Sequence, residues 1–453
     1  MRTAYRPIDR GFNMTDIVKA SKRRAIIILI GVCFMQAGGL GAILDAAGVF
    51  FVPVCEDLGF ARAEIAFYLT CYLLGTIVAM PFVGNWISRF NINILLTVMF
   101  TLVVIAVGLM SIYNEPWQWW ISGVVFGTAG SFIFVIPGPI LITNWFDSHR
   151  GIAMGVSMSF SGIGGAILSP VFTALIQAMG WRMAYVVAAI IMAAMVLPWT
   201  AFVFKLHPED IGLIPYGANP EKAKQAEAQG ETERPQFPGV PARSALKTVP
   251  FWAMFCVAGF VAYFAGFNSH LPGYAVSIGF DAMFGATLVT ATMVGNVVEK
   301  LIIGWLNDKI GVQLTVYIQL VMVGCGLFLL TVVGNNAILM YLACFLFGAQ
   351  NSIYSVSIPL LTRYLFGERD FPKLFAWTKI GTGVIGCVGP TSIAMVYDVT
   401  GSFVGAFYIG VGVAVAAAIA VTLAIKFRHT LTWVDQNGDP MEPPDMSHGV
   451  SAA

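Results

Sequence analysis

The chain has 453 residues, 58% of them hydrophobic and only 11% charged, with a net charge of +1. A soluble domain carries about 25% charged residues, and a water-soluble fold of this size could not hide the apolar surplus. A soluble enzyme, a disordered chain and a nucleic-acid binder are excluded, which leaves an integral membrane protein.

A bilayer core about 30 Å thick needs roughly 20 apolar residues per helical crossing. Runs of that length fall near residues 25–54, 63–87, 92–112, 118–145, 151–178 and 182–205, then near 250–277, 283–306, 312–334, 337–362, 372–398 and 402–426. They are continuous instead of alternating, which predicts helices and not a β-barrel. Met1 to Arg24 is polar and the first run is long enough to span, so no cleavable signal peptide is expected. His207 to Thr248 is polar and rich in Pro, Gly, Glu and Lys, and reads as a cytoplasmic linker. The expected organisation is a cytoplasmic arm over 1–24, a six-helix bundle over 25–206, a linker over 207–249, a second six-helix bundle over 250–427 and a cytoplasmic tail over 428–453. The seven cysteines lie mostly inside apolar runs, so no disulfide framework is expected.

Basic residues set the orientation. Arg2, Arg6, Arg10, Lys19, Lys22, Arg23 and Arg24 crowd the N-terminal arm. Every second loop after it is basic: Arg89; His149 and Arg150; Lys222, Lys224, Arg234, Arg243 and Lys247; Lys309; Arg363, Arg369 and Lys373. The intervening loops hold Glu56, Asp57, Glu64, Glu115 and Asp281, with few basic residues. The positive-inside rule puts both termini in the cytoplasm, which requires an even number of crossings. Twelve satisfies it.

The two halves carry matching landmarks. Gly84 to Arg89 after the second run resembles Gly304 to Lys309 after the eighth, and Pro170 in the fifth run matches Pro390 in the eleventh, both at an offset of 220 residues. Duplicated halves are the architecture of many secondary transporters.

Gly304-Trp305-Leu306-Asn307-Asp308-Lys309-Ile310-Gly311 resembles the G-x-L-x-D-R-x-G signature of the major facilitator superfamily. The first copy has Ser88 where the Asp would be. Asn144-Trp145-Phe146 with His149 to Gly155, and Gly180 to Tyr185, are similar to stretches of its oxalate:formate antiporter and monocarboxylate transporter branch. The resemblance covers essentially all twelve runs. It implies two pseudo-symmetric six-helix bundles in an all-α membrane fold, rocking about a central site, with Asp308, Lys309 and Arg89 as gating-loop residues.

Ionisable residues inside the runs carry the chemistry: Asp45, Glu299, Lys300, Lys379 and the titratable His270. A charge near the membrane centre costs about 2.5–3.5 kcal/mol even on the lenient insertion scale, so such residues should face the protein interior. Lys300 is about 7 residues from the cytoplasmic end of the eighth run and Lys379 about 8 residues into the eleventh, roughly 10 and 12 Å deep. Their repeat counterparts, Met80 and Ser159, are uncharged.

In the oxalate:formate branch two cations bind the substrate carboxylates, and the resemblance carries that role to Lys300 and Lys379. The competing readings are that Lys300 pairs with Asp45 or Glu299 and that Lys379 snorkels to the cytoplasm. Asp45 stands where a carboxylate would repel an anion unless protonated or paired; it is expected to be a proton carrier or an ion-pair partner of a lysine. Glu299 points about 100° away from Lys300 and is expected to face another helix or the loop network. Asn296 stands where monocarboxylate transporters have an Asp. Tyr72, Gln350 and Tyr354 are further substrate-contact candidates, Tyr354 lying one turn after Gln350.

No His/Cys metal cluster, Walker A sequence or H-E-x-x-H is present, so ATP-driven transport and a zincin-type protease lack their chemistry. The expected function is secondary transport of small organic anions, mono- or dicarboxylates, by proton coupling or anion exchange. The alternative is proton-coupled efflux of neutral or cationic compounds through Asp45. The expected partners are the organic anion, a proton where transport is coupled to one, and the lipid bilayer. No nucleic acid, cofactor or metal is expected, and the protein is expected to act as a monomer in the cell (inner or plasma) membrane.

Overall fold

The computed structural model describes residues 14–60, 62–218, 238–435 and 439–441. Arg2, Arg6 and Arg10 of the arm, Lys222, Lys224 and Arg234 of the linker, and the side chain of Asp45 lie outside the described residues.

Eleven apolar helical runs are long enough to cross a membrane among the described residues. One of them, Arg150–Val203, has 54 residues, about 80 Å at 1.5 Å per residue and far beyond one crossing. It breaks at Gly180, whose φ of 76° and ψ of 161° no helix contains, so the run is two spans and the crossings number twelve. The third span, Ile92–Leu109, shows how each is used. Leu95, Leu96, Phe100, Val103 and Val107 are buried, whereas Ile94, Val98, Leu102, Ile105 and Leu109 form an exposed stripe. An apolar helix that buries one face in protein and offers another apolar face outward suits a lipid surround.

The chain divides into two compact units between Pro235 and Gln236. In the first unit the opening span is not one helix. It runs α-helical over Met14–Gln36, π-helical over Ala37–Asp45, as a 3-10 turn over Ala47–Phe50, and α-helical again over Phe51–Leu58. The irregular stretch lies on the fifth span so closely that a Cβ on Gly41 would meet Ser161 O at 2.7 Å. The fourth span is likewise interrupted, by a π-helical Ser131–Val135 between Pro116–Gly130 and Pro137–Trp145.

In the second unit Val249–Ser277, Ala282–Ile310 and Val312–Val332 are continuous helices and form the seventh to ninth spans. The tenth is built from Ala337–Phe347, Ala349–Ser352, a π-helical Ile353–Ser357 and Ile358–Phe366. The eleventh breaks between Phe371–Val384 and Val388–Thr400, and Val404–Lys426 is the twelfth.

Each unit fastens one end of the linker to the loop after its fourth helix. In the first, Tyr216 N donates to Trp145 O at 2.8 Å and Tyr216 O accepts from Asp147 N at 2.8 Å. In the second, Val240 N donates to Phe366 O at 2.8 Å and Glu368 N to Pro238 O at 3.2 Å. Phe146 and Phe366, the 220-residue partners, thus sit at equivalent clamps.

Candidate functional site

Main-chain chemistry places Lys379. In the π-helical stretch Ile353–Ser357, Ile358 N donates to Ile353 O, five residues back. The next bond in that register would run from residue 359 to Tyr354 O, but residue 359 is proline and has no N–H. Tyr354 O therefore needs another donor, and Lys379 Nζ supplies it at 2.8 Å. The ammonium also lies 3.2 Å from the Tyr354 ring centroid and 5.5 Å from that of Phe375.

The first unit repeats the device without the charge. Phe134 stands five residues before Pro139, and its carbonyl accepts Gln36 Nε2 at 3.1 Å. Phe134 and Pro139 are the 220-residue partners of Tyr354 and Pro359.

Lys379 is only 2% exposed. Among the described residues no Asp or Glu lies within ion-pair reach of it. A hydrogen bond from a charged group contributes about 1.5–3 kcal/mol and a desolvated cation–π contact about 2 kcal/mol. Together these offset the ~2.5–3.5 kcal/mol insertion cost of a lysine.

Lys300 is 4% exposed, on the buried face of the eighth span with Thr292, Asn296 (8%), Glu299 (2%), Ile303 and Asn307. Its helix continues to Ile310, so Lys300 lies ten residues from that end, about 15 Å, against about 12 Å for Lys379 from Phe371. The eighth-span helix thus runs further past Lys300 than the sequence suggests. The counterparts of the two lysines are packed and neutral: Met80 is buried, and Ser159 Oγ donates to Gly155 O at 2.7 Å.

Asp308 and Lys309 lie in the last helical turn and not in a loop, because nothing breaks the helix before Gly311 at φ 82°. Arg89 likewise closes the helix Arg62–Arg89. Ser88 Oγ bonds its own helix at Gly84 O, 2.9 Å away.

Gln350 is buried, with Nε2 unpartnered, on the segment that lies against the eighth span; a Cβ on Gly348 there would come within 2.8 Å of Asn296 N and Thr292 O. Tyr354 is brought to Lys379 through its carbonyl and ring. His270 Nε2 sits 3.0 Å from Pro390 O, joining the seventh and eleventh spans. Tyr72 belongs to the first unit, where its carbonyl accepts Thr76 Oγ1 at 2.9 Å. The backbone of Asp45 ends the π-helical part of the first span.

A buried polar network had no sequence signal beyond isolated polar letters in apolar runs. Asn307 Nδ2 donates to Ile303 O (2.9 Å) and reaches Ser357 Oγ (3.4 Å). Ser357 Oγ donates to Gln319 Oε1 (2.6 Å), and Gln319 Nε2 donates to Ser352 Oγ (2.7 Å). It ties the eighth, ninth and tenth spans together.

A family model described as Major Facilitator Superfamily matches residues 26–366, more than half of the chain. The chain is 25% identical over 294 residues to monocarboxylate transporter 12 of Rattus norvegicus, covering 60% of this chain and 59% of that protein. It is 25% identical over 390 residues to the probable sulfoacetate transporter SauU of Cupriavidus necator, covering 77% and 82% respectively. The chain spans about half the length of several curated relatives that it matches. Among solved structures, a single-substitution variant of the E. coli fucose:proton symporter FucP superposes with a TM-score of 0.61 at 16% identity, over 88% of this chain and 98% of that one, a likeness of fold.

Proposed function

Because the chain belongs to the Major Facilitator Superfamily, a family of transporters and not of enzymes, we propose that it moves small organic anions, mono- or dicarboxylates, by alternating access. One observation carries the reading: a lysine buried in a membrane span, held by a carbonyl and an aromatic face, with no carboxylate beside it among the described residues. Such a cation is an attractive site for a desolvated anion. Lys379 and Lys300 are the substrate-binding pair, with Asn296, Gln350 and Tyr354 as supporting contacts. Two relatives named for small organic anions, monocarboxylates and sulfoacetate, support the same class. Efflux of neutral or cationic compounds would need both lysines neutralised.

Coupling follows from charge. A monocarboxylate that travels together with one proton moves no net charge. Proton symport with Asp45 and His270 as coupling residues predicts uptake into proteoliposomes that rises as external pH falls and is flattened in Asp45→Asn. Uptake that depends strictly on an anion loaded inside, and is as pH-sensitive in Asp45→Asn as in the unaltered protein, would make the mechanism exchange.

The protein is a multi-pass membrane transporter, and we place it in the cell membrane with both termini and the 207–249 linker in the cytoplasm. Cysteines introduced singly at Arg243 and Lys426 should react with impermeant maleimide only in opened cells, and those at Glu115 and Asp281 in sealed ones. The reverse pattern would overturn the orientation.

A further inference from the structure

Glu299 lies on the buried face of the eighth span, 2% exposed, and neither of its carboxyl oxygens has a hydrogen-bond partner. An ionised carboxylate enclosed in that way is among the most costly groups a fold can hold, whereas the neutral acid is tolerated. Lys300 follows it in sequence but projects about 100° around the helix.

The elements packed against this span are Val249–Ser277, Val312–Val332, Ala337–Phe347, Ala349–Ser352 and Ile353–Ser357. None contains an Asp, Glu, Lys or Arg. Of their titratable groups, the hydroxyls of Tyr263, Tyr274, Tyr317 and Tyr341 are engaged by Ser392, Leu330 O, Thr422 and Thr287. His270 is at Pro390 O, Tyr354 lies under Lys379, and Cys256, Cys325 and Cys344 are free thiols. No counter-ion comes from any of them.

Other unpartnered polar atoms flank Glu299. Asn296 Oδ1 lies one turn before it and Asn307 Oδ1 two turns after; Gln350 Nε2 and Asn351 Nδ2 belong to the segment packed on this span. A polar file from mid-span toward the end at Ile310 is costly in an apolar core and suits the passage of a proton.

We infer that Glu299 is a proton-binding site of this transporter, and that its proton accompanies the anion. The carboxylate takes up one proton to become the neutral acid, and no other bond forms or breaks. With Glu299 neutral, an anion held at Lys300 meets no negative charge from the neighbouring residue. Loss of the proton sets a negative charge on the adjacent residue and weakens the anion's hold. By linkage the proton and the anion favour each other's binding. The coupling half of this inference rests on the anion reading above; proton binding at Glu299 does not.

The test uses the purified full chain and two readouts. Infrared difference spectra between acidic and alkaline buffer should show the carbonyl band of a protonated carboxylic acid that is absent in Glu299→Gln and retained in Asp45→Asn. In proteoliposomes, Glu299→Gln should lose pH-driven accumulation at least tenfold more than it loses anion exchange. An unchanged band in Glu299→Gln overturns the site. Should Glu299→Gln fail to fold, Glu299→Asp takes its place, and a band neither shifted nor weakened in that variant overturns the site equally. If the unaltered protein carries no carboxylate, the anion reading fails while the infrared result still decides Glu299.

Discussion

Lys300→Gln and Lys379→Gln should each lower carboxylate uptake by thirtyfold to a few thousandfold while the protein still runs as an intact species in detergent. Truncating one partner of a buried charge-assisted pair costs about 2–5 kcal/mol, and 1.4 kcal/mol is a factor of ten. Lys379→Gln has a second effect. It takes the long donor from Tyr354 O, and an unsatisfied buried carbonyl costs about 1–3 kcal/mol of stability. Gln36→Leu separates the two effects. It strips the equivalent donor from Phe134 O in the first unit, so it should lower the melting temperature as Lys379→Gln does and leave substrate affinity alone. Uptake kinetics and thermal melting of the three variants check this. Unaltered uptake in either lysine variant would remove that lysine from the site.

Gly381→Ala should be the most damaging single-methyl change near the lysine. The added Cβ would lie 2.1 Å from Phe255 O, so the seventh and eleventh spans must part, at an overpacking cost of about 1–3 kcal/mol. Gly381 is two residues beyond Lys379 on the same helix, so the displacement moves the ammonium off Tyr354 O. Melting should fall and uptake should be nearly lost. Gly412→Ala, where a Cβ meets nothing within 4 Å, should be neutral or slightly stabilising through helix propensity. A well-folded, fully active Gly381→Ala would show that these spans have slack.

The crossings were legible because a bilayer sets a length and a polarity that composition alone reveals. Lys300 and Lys379 were legible because a charge in an apolar run is costly and so is rare. The breaks inside the first, fourth, tenth and eleventh spans were not, since a helix apolar all round has no periodicity for an interruption to disturb. Tyr354 was singled out for its side chain, yet its carbonyl holds the lysine, and the one sequence sign of that was Pro359 five residues on. The same sign, Pro139 after Phe134, points to Gln36, a polar residue in an apolar run that its letter alone does not mark out. Glu299 was expected to face another helix or the loop network; it is buried there without a hydrogen-bond partner, a property that only three-dimensional packing discloses. Asp308 and Lys309 were assigned to a loop because a signature motif marks a boundary, and the helix ends only at the glycine that follows them.

The central claim, a carboxylate site built on two buried lysines, is tested most directly by ligand-induced thermal stabilisation of the purified protein against mono- and dicarboxylates, with neutral and cationic compounds of similar size alongside. A ligand selective for the folded state stabilises it by RT ln(1 + [L]/Kd), about 2.7 kcal/mol at a hundredfold excess over Kd. The expected result is stabilisation by one or more carboxylates that disappears in both Lys300→Gln and Lys379→Gln. Stabilisation by neutral or cationic compounds but by no carboxylate, or a carboxylate effect that survives in both lysine variants, would contradict it.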